Sequence, residues 1–191
     1  MLQPLWLAPY LAEIFEELSI PYYITGAIAS SLQGEMRETQ DLDVVVNLES
    51  RQTKSLLKKM NGTYYISDVG VAEAIAHRTA WFNVTHIETT EKANVFVMRD
   101  EVFDRSKMQR RRMQLLEEQN KSIYLCSPED IILQKLLYLQ TVKNQPEKHR
   151  RDIQGVLKRQ GESLDFGYLL RWADTLDLFP LLTTAFTEAQ L

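Results

Sequence analysis

The sequence has a single cysteine, Cys126, in 191 residues. One thiol excludes an intramolecular disulfide framework and any zinc site built from several cysteines. It sets the expectation of a reducing, cytoplasmic setting. Basic charge is not in excess: 22 Lys and Arg stand against 26 Asp and Glu, a formal net charge of −4. That balance argues against a protein whose main work is to coat nucleic acid non-specifically. No apolar run approaches the ~18 residues of a membrane span. The N-terminal stretch has no basic leader and carries Glu13, Glu16 and Glu17, so neither a signal peptide nor a membrane partner is expected. There is no repeat, low-complexity tract or Gly/Ser linker. There is also no GxGxxG and no GxxxxGK, so the dinucleotide fingerprint and the P-loop are both missing. His77, His86 and His149 are scattered without metal-ligand spacing.

What is present is an ordinary globular composition, 45% hydrophobic and 25% charged. Leu11, Ile14, Phe15 and Leu18 recur at helical spacing after Pro9. Pro21 to Thr25 reads as a buried strand ending at Gly26, followed by a small-residue helix from Ala27 to Gln33 that Gly34 stops. Asp41 to Val46 alternates as a strand. A helix over 50–60, a strand over 64–66 and a helix over 68–77 follow. Strands over 80–87 and 93–98 come next, then a hairpin pairing 108–116 with 122–126. Ser127-Pro128-Glu129-Asp130 is a helix start, with Ser as N-cap and Pro in the first turn. Three helices are expected beyond it, over 128–142, 147–160 and 165–176. The organisation is an α/β body over 1–126 and a helical extension over 127–191 that is expected to pack on it.

Asp41 and Asp43 are two apart on a strand, so their carboxylates project from one face. A bound divalent cation would relieve their repulsion, and Mg²⁺ prefers such hard oxygen ligands. Two acids at a solvent-facing strand edge would give the same pattern. A glycine at a strand end that opens a helix presents free backbone N–H groups where a phosphate could sit, and Ser30 and Ser31 add hydroxyls. Any tight turn also wants glycine. Lys135 falls between Ile131, Leu139 and Val142 in the apolar stripe of its helix. Either its ammonium snorkels to water, or it meets a phosphate or Asp152. Arg105, Lys107, Arg110, Arg111 and Arg112 form the one dense basic cluster, readable as a charged edge strand or as a phosphate-contacting ridge for RNA.

Gly26-Ala27 at the strand end, then Arg37-x-Thr39-x-Asp41-Leu42-Asp43, resembles the polymerase-beta-type nucleotidyltransferases. The form is similar to the small prokaryotic branch related to AbiEii-like toxins and minimal nucleotidyltransferases. The resemblance continues through Ser127–Leu136, with Lys135, and through Arg151-Asp152-Ile153, and so covers about residues 20–160. It implies a mixed-sheet nucleotidyltransferase fold with a C-terminal helical extension. It also implies transfer of a nucleoside monophosphate from an NTP to an acceptor hydroxyl on RNA, protein or a small molecule. The metals would be two Mg²⁺ (or Mn²⁺) held by Asp41 and Asp43. Gly26, Ala27, Ser30, Arg37, Thr39 and Asp152 would bind nucleotide, Lys135 would neutralise phosphate charge, and a cognate antitoxin would be a partner. Gly26, Asp41, Asp43, Asn94 and Lys135 are expected to line one cleft.

Two positions depart from that family's pattern. Its third carboxylate maps to Asn94, which can neither ionise nor accept a proton as a base. Glu88, at the end of the neighbouring strand, is a substitute. Gly155 stands where relatives often carry a second acid. The rival reading is therefore a catalytically silent relative that binds nucleotide or a partner protein without turnover.

Overall fold

The computed structural model describes residues 5–141 and 146–191. The chain forms two compact units. One comprises the described residues of Met1–Ile28 with Glu38–Cys126, the other Ala29–Arg37 with the described residues of Ser127–Leu191.

The first unit is built on a seven-stranded mixed sheet. Its strands are β1 (Tyr22–Thr25), β2 (Asp41–Val46), β3 (Tyr64–Ile66), β4 (Trp81–His86), β5 (Lys92–Val97), β6 (Arg112–Leu116) and β7 (Lys121–Leu125), in the order β3-β4-β5-β2-β1-β7-β6. β2 runs antiparallel to β1 and parallel to β5. Strand alternation assigns one face to apolar residues: Leu42, Val44 and Val46 of β2, Ala93 and Val95 of β5, and Phe82 and Val84 of β4 are all buried. The reverse face carries Asp41 and Asp43, Lys92 and Asn94, and Trp81 and Asn83. The helices of this unit are α1 (Leu7–Glu17), the first turn of α2 (Gly26–Gln33), α3 (Thr53–Met60), α4 (Asp68–Ile75) and α5 (Val102–Arg110).

The expected strand over 108–116 is corrected by α5. Its first turn carries Asp104 and its last turn Lys107 and Arg110, charges that suit the ends of the helix dipole. Phe103, Lys107 and Met108 are its buried residues, a helical rather than an alternating spacing. Only Arg112–Leu116 remains as strand, and it pairs antiparallel with β7.

The second unit consists of the rest of α2 and four further helices: α6 (Pro128–Thr141), α7 (Pro146–Gln160), α8 (Phe166–Thr175) and α9 (Phe179–Ala189). Ser127 caps α6 as expected: its hydroxyl accepts from the Asp130 N–H at 3.2 Å and donates to the Asp130 carboxylate at 2.7 Å. Glu129 and Asp130 are fully buried, and each receives a hydrogen bond from the α8 end of the unit: the Asp165 N–H to Glu129 (3.0 Å) and the Tyr168 hydroxyl to Asp130 (2.7 Å). These two acids therefore fasten helices together. α9 had no expected counterpart. Its Leu182, Ala185 and Ala189 are buried at helical spacing, and Pro180 lies in its first turn, where proline starts a helix. Val142, expected in the apolar stripe of α6, lies outside the described residues. No helix among the described residues is long and apolar enough to cross a membrane.

Candidate active site

Gly26 is the hinge of the first motif. It ends β1, opens α2 and has φ +67°, in the left-handed region that glycine tolerates. A Cβ there would lie 2.1 Å from the Asp43 Oδ2, so the carboxylate occupies the space a side chain would need. The register explains the approach, since Asp43 stands opposite Thr25 in the β1–β2 ladder. A carboxylate at this place also meets the positive end of α2.

Across the other ladder Asp43 is in register with Asn94, and Asn94 with Asn83. The Asn94 Nδ2 donates to the Asp43 Oδ1 at 2.9 Å. Thr25, Asp43, Asn94 and Asn83 thus form a polar row crossing four strands on one face. Asp41 lies one step along that face, exposed and in register with Lys92. The Thr39 hydroxyl donates to the Asp41 carbonyl at 3.4 Å. Ala27 is buried in the first turn of α2, and Ser30 is buried one turn further on.

Among the described residues no group of three or more His, Cys, Asp or Glu is placed to hold a metal ion. The donor set at Asp41 and Asp43 still fits a magnesium-like ion. Such an ion is bound by one or two carboxylates and completes its shell with water and substrate phosphates rather than with an all-protein cage. The Gly26 turn, whose missing Cβ makes room for the Asp43 carboxylate, is the structural sign of that fit. Asn94 adds little to it, because it presents an N–H to Asp43.

The other expected residues gather in the second unit. Asp152, 3% exposed, receives the Arg37 guanidinium in a fork, Nε to Oδ1 at 2.7 Å and Nη2 to Oδ2 at 2.9 Å, and the Lys135 ammonium at 2.6 Å on Oδ2. Of the three readings of Lys135, the structure shows the partnership with Asp152. Burial alone would raise the Asp152 carboxyl, but the Arg37 hydrogen bonds and the Lys135 charge outweigh it and hold the pKa below its ordinary value. His149 stacks on Tyr138, with ring centroids 4.2 Å apart. Burial, and then the charge of Lys135, push its pKa down to about 4.

Gly155 has a packing reason that the sequence left open. A Cβ on it would lie 2.8 Å from the Glu35 backbone N, and one on Gly34 would lie 2.7 Å from the Val156 N. Segment 33–37 therefore runs against α7 almost backbone to backbone. It is held there at Gln33 by the Gln160 amide (2.8 Å), at Glu35 by Arg151 and at Arg37 by Asp152. A second acid at 155 would not fit. The basic cluster does not share one strand face, because Arg105, Lys107 and Arg110 lie on α5 and Arg112 on β6. Lys107 is buried, paired with Asp104 at 2.8 Å and set over the Phe103 ring; Arg105 pairs with Asp100; Arg111 lies over the Tyr124 ring.

No protein-family model matches the chain, and no curated protein matches it. Solved structures do. An antigenic nucleotidyltransferase-like protein from Paracoccidioides brasiliensis aligns over 95% of this chain and 91% of its own, at 20% identity and a TM-score of 0.56. The antibiotic-resistance factor ANT(2'')-Ia in complex with adenylyl-2''-tobramycin aligns over 98% of each chain, at 16% identity and a TM-score of 0.52. Its solution structure aligns over 85% of this chain and 89% of its own, at 17% identity and a TM-score of 0.50. At these identities the likeness is one of architecture, and the chain has the fold of these nucleotidyltransferases.

Proposed function

We propose that the protein is a nucleotidyltransferase that moves a nucleoside monophosphate from an NTP to an acceptor hydroxyl. The observation that carries this is the placement of Asp43. The Gly26 turn, the register with Thr25 and the Asn94 hydrogen bond hold its carboxylate at the amino end of α2, with Asp41 on the same face. Asp41 and Asp43 would hold the divalent cations, Mg²⁺ or Mn²⁺, that neutralise phosphate charge and polarise the transferred phosphoryl group. Gly26 and Ala27, at the start of α2, offer backbone N–H groups to the triphosphate, and Ser30 lies along the same helix. Thr39 fixes the entry into β2 through the Asp41 carbonyl. Arg37, Lys135 and Asp152 act as a clamp that fixes the segment leading into that strand. The acceptor is a small hydroxylated molecule, in keeping with the adenylyl-2''-tobramycin bound in the ANT(2'')-Ia structure, or RNA or protein. The last two fit the AbiEii-like branch and a toxin with a cognate antitoxin.

Asn94 favours a second reading. It supplies a neutral amide where a general base is expected, and that help is typically worth ~10²–10⁴-fold. The chain would then bind nucleotide without turnover. Labelled NTPs with Mg²⁺ and a pool of small hydroxylated amines, RNA and protein distinguish the two. Transfer by the natural protein that disappears in Asp41→Ala/Asp43→Ala supports the enzyme, and a rise in Asn94→Asp supports the role given to position 94. Thermal stabilisation by Mg-NTP without transfer supports the silent binder. No stabilisation and no transfer overturn both.

A further inference from the structure

β6 is the terminal strand of the sheet, and among the described residues nothing pairs with its outer edge. Four of its five residues are exposed. Met113 and Leu115, 68% and 50% exposed, stand on one face of it two residues apart. An edge with unpaired backbone groups and apolar side chains is a template for another strand, and many proteins block such edges with charge. Around β6 the charge changes sign at the middle. Arg110, Arg111 and Arg112 stand at its start, and Glu117 and Glu118, both exposed, follow its end.

We infer that β6 is a self-association edge, at which a second copy of this chain adds its own β6 antiparallel about a two-fold axis through Gln114. In that register Met113 meets Leu115 of the second copy, and Leu115 meets Met113. Arg112 lies opposite Leu116, where its stem covers an apolar side chain. Beyond the strand, the arginines at the end of α5 and the start of β6 lie on the side of Glu117 and Glu118 of the second copy, which form a short 3-10 turn, on both sides of the axis. The pattern selects this arrangement over the others. Parallel pairing would set arginine against arginine and glutamate against glutamate. A slip of one residue turns Met113 and Leu115 away from each other. A slip of two removes apolar pairs or sets Met113 against Glu117. An isologous contact of this kind closes on itself and leaves no β6 edge free to propagate. The five residues of β6 and their flanks fall well short of the about 20–30 residues a side of a standard stable interface, so the association exchanges on dilution.

Sedimentation of the full chain across a concentration series tests this. The expected result is a reversible monomer–dimer equilibrium that weakens with salt. Glu117→Lys/Glu118→Lys, which sets cation against cation, is expected to weaken it about tenfold or more, with an unchanged melting temperature. Met113→Lys/Leu115→Lys should do the same through the apolar pairs. Gln114→Cys places two thiols on the axis, where paired strands bring Cα atoms within disulfide reach, so oxidation should give a covalent dimer. A chain that stays monomeric at the highest concentrations overturns the proposal. So does a dimer that both double variants leave intact, or one that Gln114→Cys fails to cross-link.

Discussion

Removal of the Asp152 carboxylate should be among the most damaging single changes to the second unit. The group is 3% exposed, and three cationic N–H contacts of 2.6–2.9 Å converge on it. The Arg37 and Lys135 side chains are only 14% and 8% exposed, so Asp152→Ala leaves two shielded cations without their shared partner. Breaking a buried pair in this way costs about 3–5 kcal/mol. At about 2–4 °C per kcal/mol for a chain of this size, the melting temperature should fall by about 6–20 °C. The pH dependence follows from the sign of the shift. The folded pKa lies below the ordinary 3.8, so the contribution is complete above that value and is lost as pH falls through the folded one. Urea denaturation of the natural chain and of Asp152→Ala should show a constant gap at neutral and mildly acidic pH. The gap should close only below about pH 4. Asp152→Asn, which keeps the shape, should lose most of the same stability. A gap under about 1 kcal/mol at neutral pH, the range of exposed ion pairs, would refute the clamp.

Gly26→Ala should cost about 1–2 kcal/mol from the positive φ alone. It should also displace the Asp43 carboxylate, so calorimetry should show a lower melting temperature and a smaller stabilisation by Mg-NTP than the natural chain. Gly155→Ala meets the Glu35 backbone and should cost about 1–3 kcal/mol by overpacking, read by urea denaturation. His149 should be neutral at pH 7 and titrate near pH 4 by NMR. Because the unfolded chain takes up that proton first, its contribution to stability should decline as pH falls from about 6.5 towards 4; a midpoint near 6.5 would refute the burial argument.

The strands and turns of the first motif were legible because each carried a local signal. Asp41–Val46 alternates cleanly and Gly26 marks the strand end, whereas Asn94 came only from the family resemblance, and the β2–β5 register sets it beside Asp43. α5 was not legible, because its charges look alike at strand and helix period and its burial is decided by tertiary packing. The role of Gly155 was hidden for a different reason. Its partner, Glu35, lies far away in sequence, and a missing side chain leaves no pattern to read. The helical wheel left Asp152 as one of three readings of Lys135, beside water and a phosphate, and both that contact and the fork with Arg37 required the fold.

The stapling of residues 33–37 along α7 also sets a timetable for synthesis. Arg37 and Asp152 are 115 residues apart, and both belong to the second unit. At about 5–20 residues per second, a ribosome delivers Asp152 about 6–23 s after Arg37. During that interval the sheet strands of the first unit emerge while segment 29–37 waits for its partners. A chain released before α7 would carry that segment without the contacts that α7 gives to Gly34 and Arg37. The second unit is thus completed late, by a C-terminal part returning to a piece laid down near the start.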